Sequence, residues 1–398
     1  MIARLTVGDP IQEMKALGAD PAGIRLMAPK AVFRLVKLAA IRPVAANIIK
    51  QTMLSCGGDA ATAYGSVNLS VKTTDLLVFG TVQQCQALIK KLKAHQFGLP
   101  AIAAEIERAL TNYVAIPKAI KVGPKKLIFG RRTFIMGILN VTPDSFSDGG
   151  QFSERVTALC QAEKMIADGA DIIDVGGEST RPGARPVSAA EEVERVIPVL
   201  KALAKWRGCA VSIDTRKAAV ARAALEVGAD MINDISGLKH DRRMAKVVAE
   251  AEVPVCLMHS RGTPRTMQRR PVYSDLMGEV MAELTASLAI ASNAGILHEK
   301  IILDPGLGFG KTAAHNLEIV ASLRELKVFG RPILVGPSRK SVIGQVLGLP
   351  VEARLEGTAA LVAAAVMNGA NLVRVHDVKE MVRVARMTDA IKLRQGSV

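Results

Sequence analysis

From about residue 130 onward, short unbroken apolar runs alternate with longer stretches whose apolar residues recur at helical spacing. The runs predict strands at 134–139, 171–176, 209–213, 230–235, 253–258, 300–303, 331–335 and 371–375. Helical patterns follow them, among others at 154–168, 189–205, 216–227, 275–294, 314–327, 353–368 and 378–393. A run that stays apolar, rather than alternating, belongs to a strand buried on both faces, as in a parallel sheet covered by helices. Eight such units in about 265 residues predict a (β/α)8 barrel, with a doubly wound open sheet as the competing arrangement. The polar residues favour the barrel, because they collect where nearly every strand ends: Asn140, Glu178 to Arg181, Asp214, Asn233 and Asp234, His259, Asp304, Ser338 to Lys340, Arg374 and His376. In a barrel those ends surround one mouth; an open sheet gathers only the ends near its switch point.

The first third has a different rhythm. It predicts a helix over roughly 29–55 ending at Gly57-Gly58, strands at 59–66 and 75–80, and a helix at 82–94 that exposes Lys90, Lys91 and Lys93. The proline-, glycine- and lysine-bearing run from Ile116 to Lys126 suits a linker or an edge segment between two domains. The expected organisation is α/β throughout: a small α/β module over 1–120, with no catalytic constellation of its own, then a (β/α)8 barrel over 121–398.

Composition narrows the class. With 398 residues, 49% of them hydrophobic, the chain readily fills a large core. No apolar run approaches the roughly 20 residues of a membrane span, and Asp9 and Glu13 interrupt any signal-peptide pattern. Five dispersed cysteines without a CxxC pair suit reduced thiols in the cytoplasm rather than a disulfide or zinc framework. The net charge is +15, of which residues 1–121 supply +8 from 15 basic and 7 acidic side chains. Aromatic residues make up only 3%, so stacking platforms for nucleic acid are scarce, and an anionic small substrate accounts for the charge as well.

Several strand ends carry chemistry. Asp214, Asn233 and Asp304 each end or interrupt an apolar run; each alone is a good helix cap, but together they offer two carboxylates and an amide to one pocket floor. A flat heterocycle with an amidine-like edge needs those acceptors and a donor, which Lys340 supplies from Gly336-Pro337-Ser338-Arg339-Lys340-Ser341. Arg374 and His376 lie on one face of the last strand and suit phosphate oxygens. The loop Glu178–Pro186, with Arg181 and Arg185 held by prolines and a glycine, suits an anionic leaving group. Gly310-Lys311-Thr312 mimics the end of a phosphate-binding loop, but Pro305 stands where its first glycine is needed. The glycines there instead suggest close approach of backbone to a flat ligand, with Phe309 packing on it. His259 reads as structural, and the histidines form no metal-ligand cluster.

The ordered series GILNVTPDSFSDGG, DIIDVGGESTRPGA, SIDT, INDI, LMHSRGTPRTMQ, ILDPGLGFGK, VGPSRKS and RVHDV, over about 130–395, resembles dihydropteroate synthase. The resemblance implies a (β/α)8 (TIM) barrel that joins a pterin diphosphate to p-aminobenzoate, and a homodimer. It implies that Asp214, Asn233, Asp304 and Lys340 hold the pterin, with Met258, Phe309 and Gly336 lining it. Asn140, Thr180, Arg181, Arg374 and His376 would hold the diphosphate, and Mg2+ would sit between the diphosphate and Asn140, with Asp144 joining it. Phe146, Pro182 and Ser341 would frame p-aminobenzoate. A corrinoid-type methyltetrahydrofolate methyltransferase domain shares such a barrel, but needs no diphosphate loops. A non-catalytic pterin-binding protein would not need all the strand-end residues.

Overall fold

The computed structural model describes residues 9–141, 151–179, 185–206, 208–262, 267 and 271–395. The chain forms two compact units, one up to Ala115 and one from Ile116 to Lys392.

The first unit contains α1 (Pro10–Ala16), α2 (Pro21–Ala31), β1 (Phe33–Ile41), α3 (Pro43–Leu54), β2 (Asp59–Thr62), β3 (Thr74–Thr81), α4 (Val82–Lys93) and α5 (Leu99–Val114). Its sheet has the order β1-β3-β2, antiparallel throughout. The helix expected over 29–55 is therefore wrong in its first half, where Phe33–Ile41 is a strand. That stretch satisfies both periods. Val36 and Leu38 are half-buried while Phe33, Leu35 and Lys37 between them stay exposed, and pairing with β3 decides for the strand. Helix resumes at Pro43, whose fixed φ and missing N–H suit a first helical position. Thr81 and Gln84 form a capping box that starts α4. Ile49, Met53, Leu88, Leu92, Leu99 and Ile106 close a core over the sheet.

The second unit opens with a hairpin, β4 (Ile120–Val122) and β5 (Lys125–Leu127), where the sequence suggests a linker. Ile120, Val122, Leu127 and Phe129 belong to one buried cluster with Met136, Ile172, Ala210 and other residues from the beginnings of the barrel strands. The segment is thus a plug for the N-terminal end of the barrel, and its apolar residues are used rather than spaced out.

The barrel follows: β6 (Phe134–Asn140), α6 (Gln151–Ala167), β7 (Ile172–Gly176), α7 (Ala189–Leu203), β8 (Ala210–Asp214), α8 (Ala218–Glu226), β9 (Met231–Asp234), α9 (Met244–Ala251), β10 (Val255–Met258), α10 (Leu276–Asn293), β11 (Ile301–Asp304), α11 (Ala313–Ala321), β12 (Leu334–Val335), α12 (Ser341–Leu347), α13 (Leu355–Met367), β13 (Leu372–Val375) and α14 (Val378–Gln395). All eight strands from β6 to β13 pair in parallel, in the order β11-β10-β9-β8-β7-β6-β13-β12. A parallel bridge between Leu303 and Ile333 brings the two ends of the row together. β12 is shorter than expected because Pro332 has no N–H to give, while the N–H of Ile333 goes to the Asn371 side chain. Between the strands and the outer helices lies the main core, with Ile173, Val175, Ile213, Ile232, Leu257 and Val373 facing outward into it. Arg132 and Asp171 lock the strand entrances: the guanidinium donates two bonds to the carboxylate, which also accepts the N–H of Ile135. No helix among the described residues is long and apolar enough to cross a membrane.

Because the plug and the mouth occupy opposite ends, stability and activity separate. Leu127→Ala is expected to lower the barrel's stability by about 2–5 kcal/mol. Denaturant unfolding should show the loss, while the Michaelis constants of the folded variant stay at wild-type values.

Candidate active site

The barrel register places the polar strand ends together. Asn140 lies opposite Gly176, Gly176 opposite Asp214, and Asp214 opposite Asn233, so four neighbouring strands contribute one row at the C-terminal end. Met258 lies opposite Asp304 on the far side.

Below this row is a buried charge network. Arg374 on β13 donates through Nε to Asp174 Oδ2 and through a terminal nitrogen to Asp214 Oδ2, both at 2.6 Å. Asp174 is fully buried, and its Oδ2 also accepts from Asn233 Nδ2 at 2.9 Å. A carboxylate only accepts, so the Asn233 amide must turn its NH2 toward Asp174, and its carbonyl oxygen remains available as an acceptor. Arg374 spends two of its five N–H donors on these bonds. Burial raises the pKa of Asp214, with Arg374 opposing and Asp174 reinforcing the shift. Burial also pushes Asp304 up to about 6, against a 2.7 Å bond from the Gly306 N–H and the nearby Lys340 charge.

Lys340 precedes α12, with its Nζ 4.4 Å from the centre of the Phe309 ring, in a cation–π contact. Burial and then Arg374 pull its pKa down to about 8. Phe309, Met258, Ile235 and Met267 form a small apolar cluster. Gly336 lies beside Arg374, and Ser341 is exposed at the start of α12. His376 Nδ1 is 3.0 Å from Ser338 Oγ; burial, and then the charge of Arg374, lower its pKa to about 3, so its ring is neutral. Arg339 turns away at φ 56° and pairs with Asp377.

Thr180, Arg181 and Pro182, and Phe146 with Asp144, lie outside the described residues. The two loops that carry them leave from β6 and β7, which are neighbours in the sheet. Glu178, at the base of the second loop, is clamped by Lys217 at 2.9 Å and Arg216 at 3.1 Å. Burial works against its charge, yet these two cations hold its pKa below the usual carboxylate value.

The structure amends one part of the sequence reading and adds two residues. The glycines after Asp304 serve packing against the neighbouring loop: a Cβ on Gly306 would lie 1.9 Å from the His259 carbonyl oxygen, and one on Gly310 2.5 Å from that of Arg261. Both also need positive φ, at 69° and 66°. Asp174 was legible in principle, since a carboxylate inside the apolar run Ile172–Gly176 has to be paired if buried. Lys311 carries no such signal, yet it is buried beside His259.

A family profile described as pterin binding enzyme matches residues 136–376. Dihydropteroate synthase from Synechocystis sp. is 49% identical over 283 residues, covering 71% of this chain and 97% of that protein. A probable bifunctional folylpolyglutamate synthase/dihydropteroate synthase from Halobacterium salinarum is 41% identical over 390 residues, covering 97% of this chain and 46% of that protein. Among solved structures, Yersinia pestis dihydropteroate synthase with a sulfonamide drug complex matches with a TM-score of 0.66 and 44% identity, over 70% of this chain and 100% of that one. The Xanthomonas albilineans enzyme with 4-aminobenzoic acid matches with a TM-score of 0.65 and 40% identity, over 70% and 99%. With an eight-stranded parallel barrel, acids and bases converging at its C-terminal end, and the Synechocystis and Yersinia enzymes matched over nearly their whole length, the chain belongs to the pterin-binding enzymes, in the dihydropteroate synthase branch that joins a pterin diphosphate to p-aminobenzoate in folate biosynthesis.

Proposed function

We propose the following division of labour among the side chains at the mouth. Asp214, Asn233 and Asp304 accept hydrogen bonds from the N–H groups of the pterin ring, and Lys340 donates to its carbonyl. The observation that carries this assignment is the Asp174–Arg374–Asp214 network with Asn233 held beside it, which presents acceptors of fixed orientation to a flat ring. Met258 and Phe309 close on the ring faces, and Gly336 leaves space beside Arg374.

The reaction then needs little covalent chemistry from the protein. The bond between the pterin methylene carbon and the bridging oxygen breaks, and its electron pair leaves with the diphosphate. The p-aminobenzoate nitrogen forms the new bond to that carbon and releases a proton to solvent or to diphosphate. Arg374 faces the leaving oxygens with its remaining N–H donors, and Arg181, Thr180 and His376 complete that side. Charge stabilisation of the leaving group is the main catalytic term. Asp304 and Asp214 steady the positive charge that develops on the pterin. Phe146, Pro182 and Ser341 frame the p-aminobenzoate.

Mg2+ takes oxygen ligands and keeps several from water and phosphate. The described residues hold no group of three or more histidine, cysteine or acidic side chains that could bind a metal by themselves. The Asn140 amide oxygen at the end of β6 suits an ion held mainly by the diphosphate, with Asp144 as a second protein ligand. When bound, the ion neutralises phosphate charge. A homodimer would cover exposed apolar side chains such as Val346, Leu347, Leu349 and Val351. The cysteines are free thiols, in keeping with a cytoplasmic enzyme.

Incubation with hydroxymethyl-dihydropterin diphosphate, p-aminobenzoate and Mg2+ should release diphosphate and dihydropteroate in equal amounts. Lys340→Ala and Arg374→Ala should each lower kcat/KM by about 100-fold or more, and chelation of the metal should stop turnover until Mg2+ is restored. Methyltetrahydrofolate binding without diphosphate release would overturn the assignment.

The pH profile offers a second check. Protonation of Asp304, with its pKa near 6, removes an acceptor on the acid side, and deprotonation of Lys340, near 8, removes a cation on the alkaline side. A bell-shaped kcat/KM for the pterin diphosphate is expected, and Lys340→Arg should abolish its alkaline limb. A flat profile between about pH 5 and 9 would contradict these roles.

A further inference from the structure

The loop between β11 and α11 is folded around a lysine that the reaction above does not use. Lys311 is 2% exposed. Its Nζ lies 2.8 Å from His259 Nδ1, 2.9 Å from the Gly306 carbonyl oxygen and 3.0 Å from that of Phe309. Burial lowers the Lys311 pKa to about 7 against the opposing charges of Asp304 and Glu283, and in the charged form each of the three N–H donors meets one acceptor here. Accepting at Nδ1 places the ring proton of His259 on Nε2, which faces Glu283 Oε2 at 3.5 Å. Burial lowers the His259 pKa to about 4, so the ring is neutral and able to accept.

The far side of this chain of contacts is held by ion pairs. Glu283 on α10 also pairs with Arg261 and Lys239, both at 3.0 Å. Arg261 stacks over Tyr273, whose hydroxyl donates to the Gly310 carbonyl at 2.9 Å. The near side ends on the backbone of Phe309, whose ring enters the apolar cluster at the mouth and carries Lys340 above it. A loop that only needed packing would fill this space with a methionine or leucine and avoid desolvating an ammonium. The lysine is justified by what it turns inward: the Phe309 carbonyl, and with it the Gly306 carbonyl that also accepts the Phe309 N–H at 3.2 Å.

We propose that Lys311 is a positioning residue of the pterin site, whose ammonium holds the 306–309 loop folded so that Phe309 is presented to the pterin ring and supports Lys340 from below. This rests on the reading of Phe309 as a wall of that site. Lys311 itself touches no substrate.

The test is a double-mutant cycle on the full chain, with Lys311→Met, Phe309→Ala and the double variant. The dissociation constant of the pterin diphosphate is measured by calorimetry without p-aminobenzoate, and both Michaelis constants by steady-state kinetics. Lys311→Met is expected to weaken pterin diphosphate binding by about tenfold, with the KM for p-aminobenzoate within about twofold of wild type. The double variant should bind no more weakly than Phe309→Ala, and Lys311→Arg should recover most of the loss. If Lys311→Met is insoluble, His259→Asn, which removes one of the three acceptors, should show a smaller loss of the same kind. Phe309→Ala without effect on pterin binding would remove the reading of Phe309. A loss in Phe309→Ala combined with no loss, or a fully additive loss, in the Lys311 variants would overturn the positioning role alone.

Discussion

Arg374 lies between two carboxylates inside the barrel, and the charge balance of the whole pocket depends on it. Three carboxylates, Asp174, Asp214 and Asp304, face two cations, Arg374 and Lys340, in a space that excludes most water. Burial disfavours the charged form of each of these groups, carboxylate and ammonium alike. It raises the pKa values of Asp214 and Asp304 and lowers that of Lys340, on which the repulsion of Arg374 acts in the same direction. In the proposed binding mode a pterin ring brings N–H donors to Asp214 and Asp304 and so stabilises their charged forms. On that reading, part of the electrostatic cost of assembling the site is offset by the substrate.

The fold makes this possible by dividing its ends. Parallel strands bring residues from distant parts of the sequence to equivalent heights, so Asn140, Asp214 and Asn233 meet without any local motif joining them. The N-terminal end is sealed by the hairpin of β4 and β5, whose apolar residues complete the barrel interior. Closing one end with apolar side chains and gathering polar groups at the other lets the mouth hold an unfavourable set of polar groups while the remainder stays close-packed.

Much of the barrel was legible because a parallel strand buried on both faces leaves an unambiguous apolar run, and the eight expected runs all contain strands. The helices α9 and α12 are only eight and seven residues long, too short to leave a distinct helical period. The misreading of Phe33–Ile41 has a definite cause: apolar residues at 33, 35, 36 and 38 suit a strand face and a helix face equally, and only the pairing with β3 separates them. The composition of 116–126, dominated by lysines, prolines and glycine, suits a linker or an edge segment, whereas three buried apolar residues of the hairpin determine its place. At the site, strand-end acids and amides announced themselves by breaking apolar runs. Asp174 did not, because it lies inside a run, and its importance comes from partners on β9 and β13 that are 59 and 200 residues away.

The same limit explains Lys311. Gly310-Lys311-Thr312 has the residues of a phosphate-binding loop but not its glycine register, and in such a loop the lysine projects outward to meet phosphate. Here Gly306, Gly308 and Gly310 all take positive φ, and the chain curls until the carbonyls of Gly306 and Phe309 face inward. The cation then turns back into its own loop. A lysine whose three donors are consumed by backbone and imidazole acceptors has none left for a substrate, so its contribution must pass through the atoms that it fixes. Those atoms belong to Phe309, whose carbonyl meets Lys311 and whose ring meets Lys340. Their mutual repulsion is tolerated because Asp304 lies near both, the same carboxylate that ends the strand from which the loop departs.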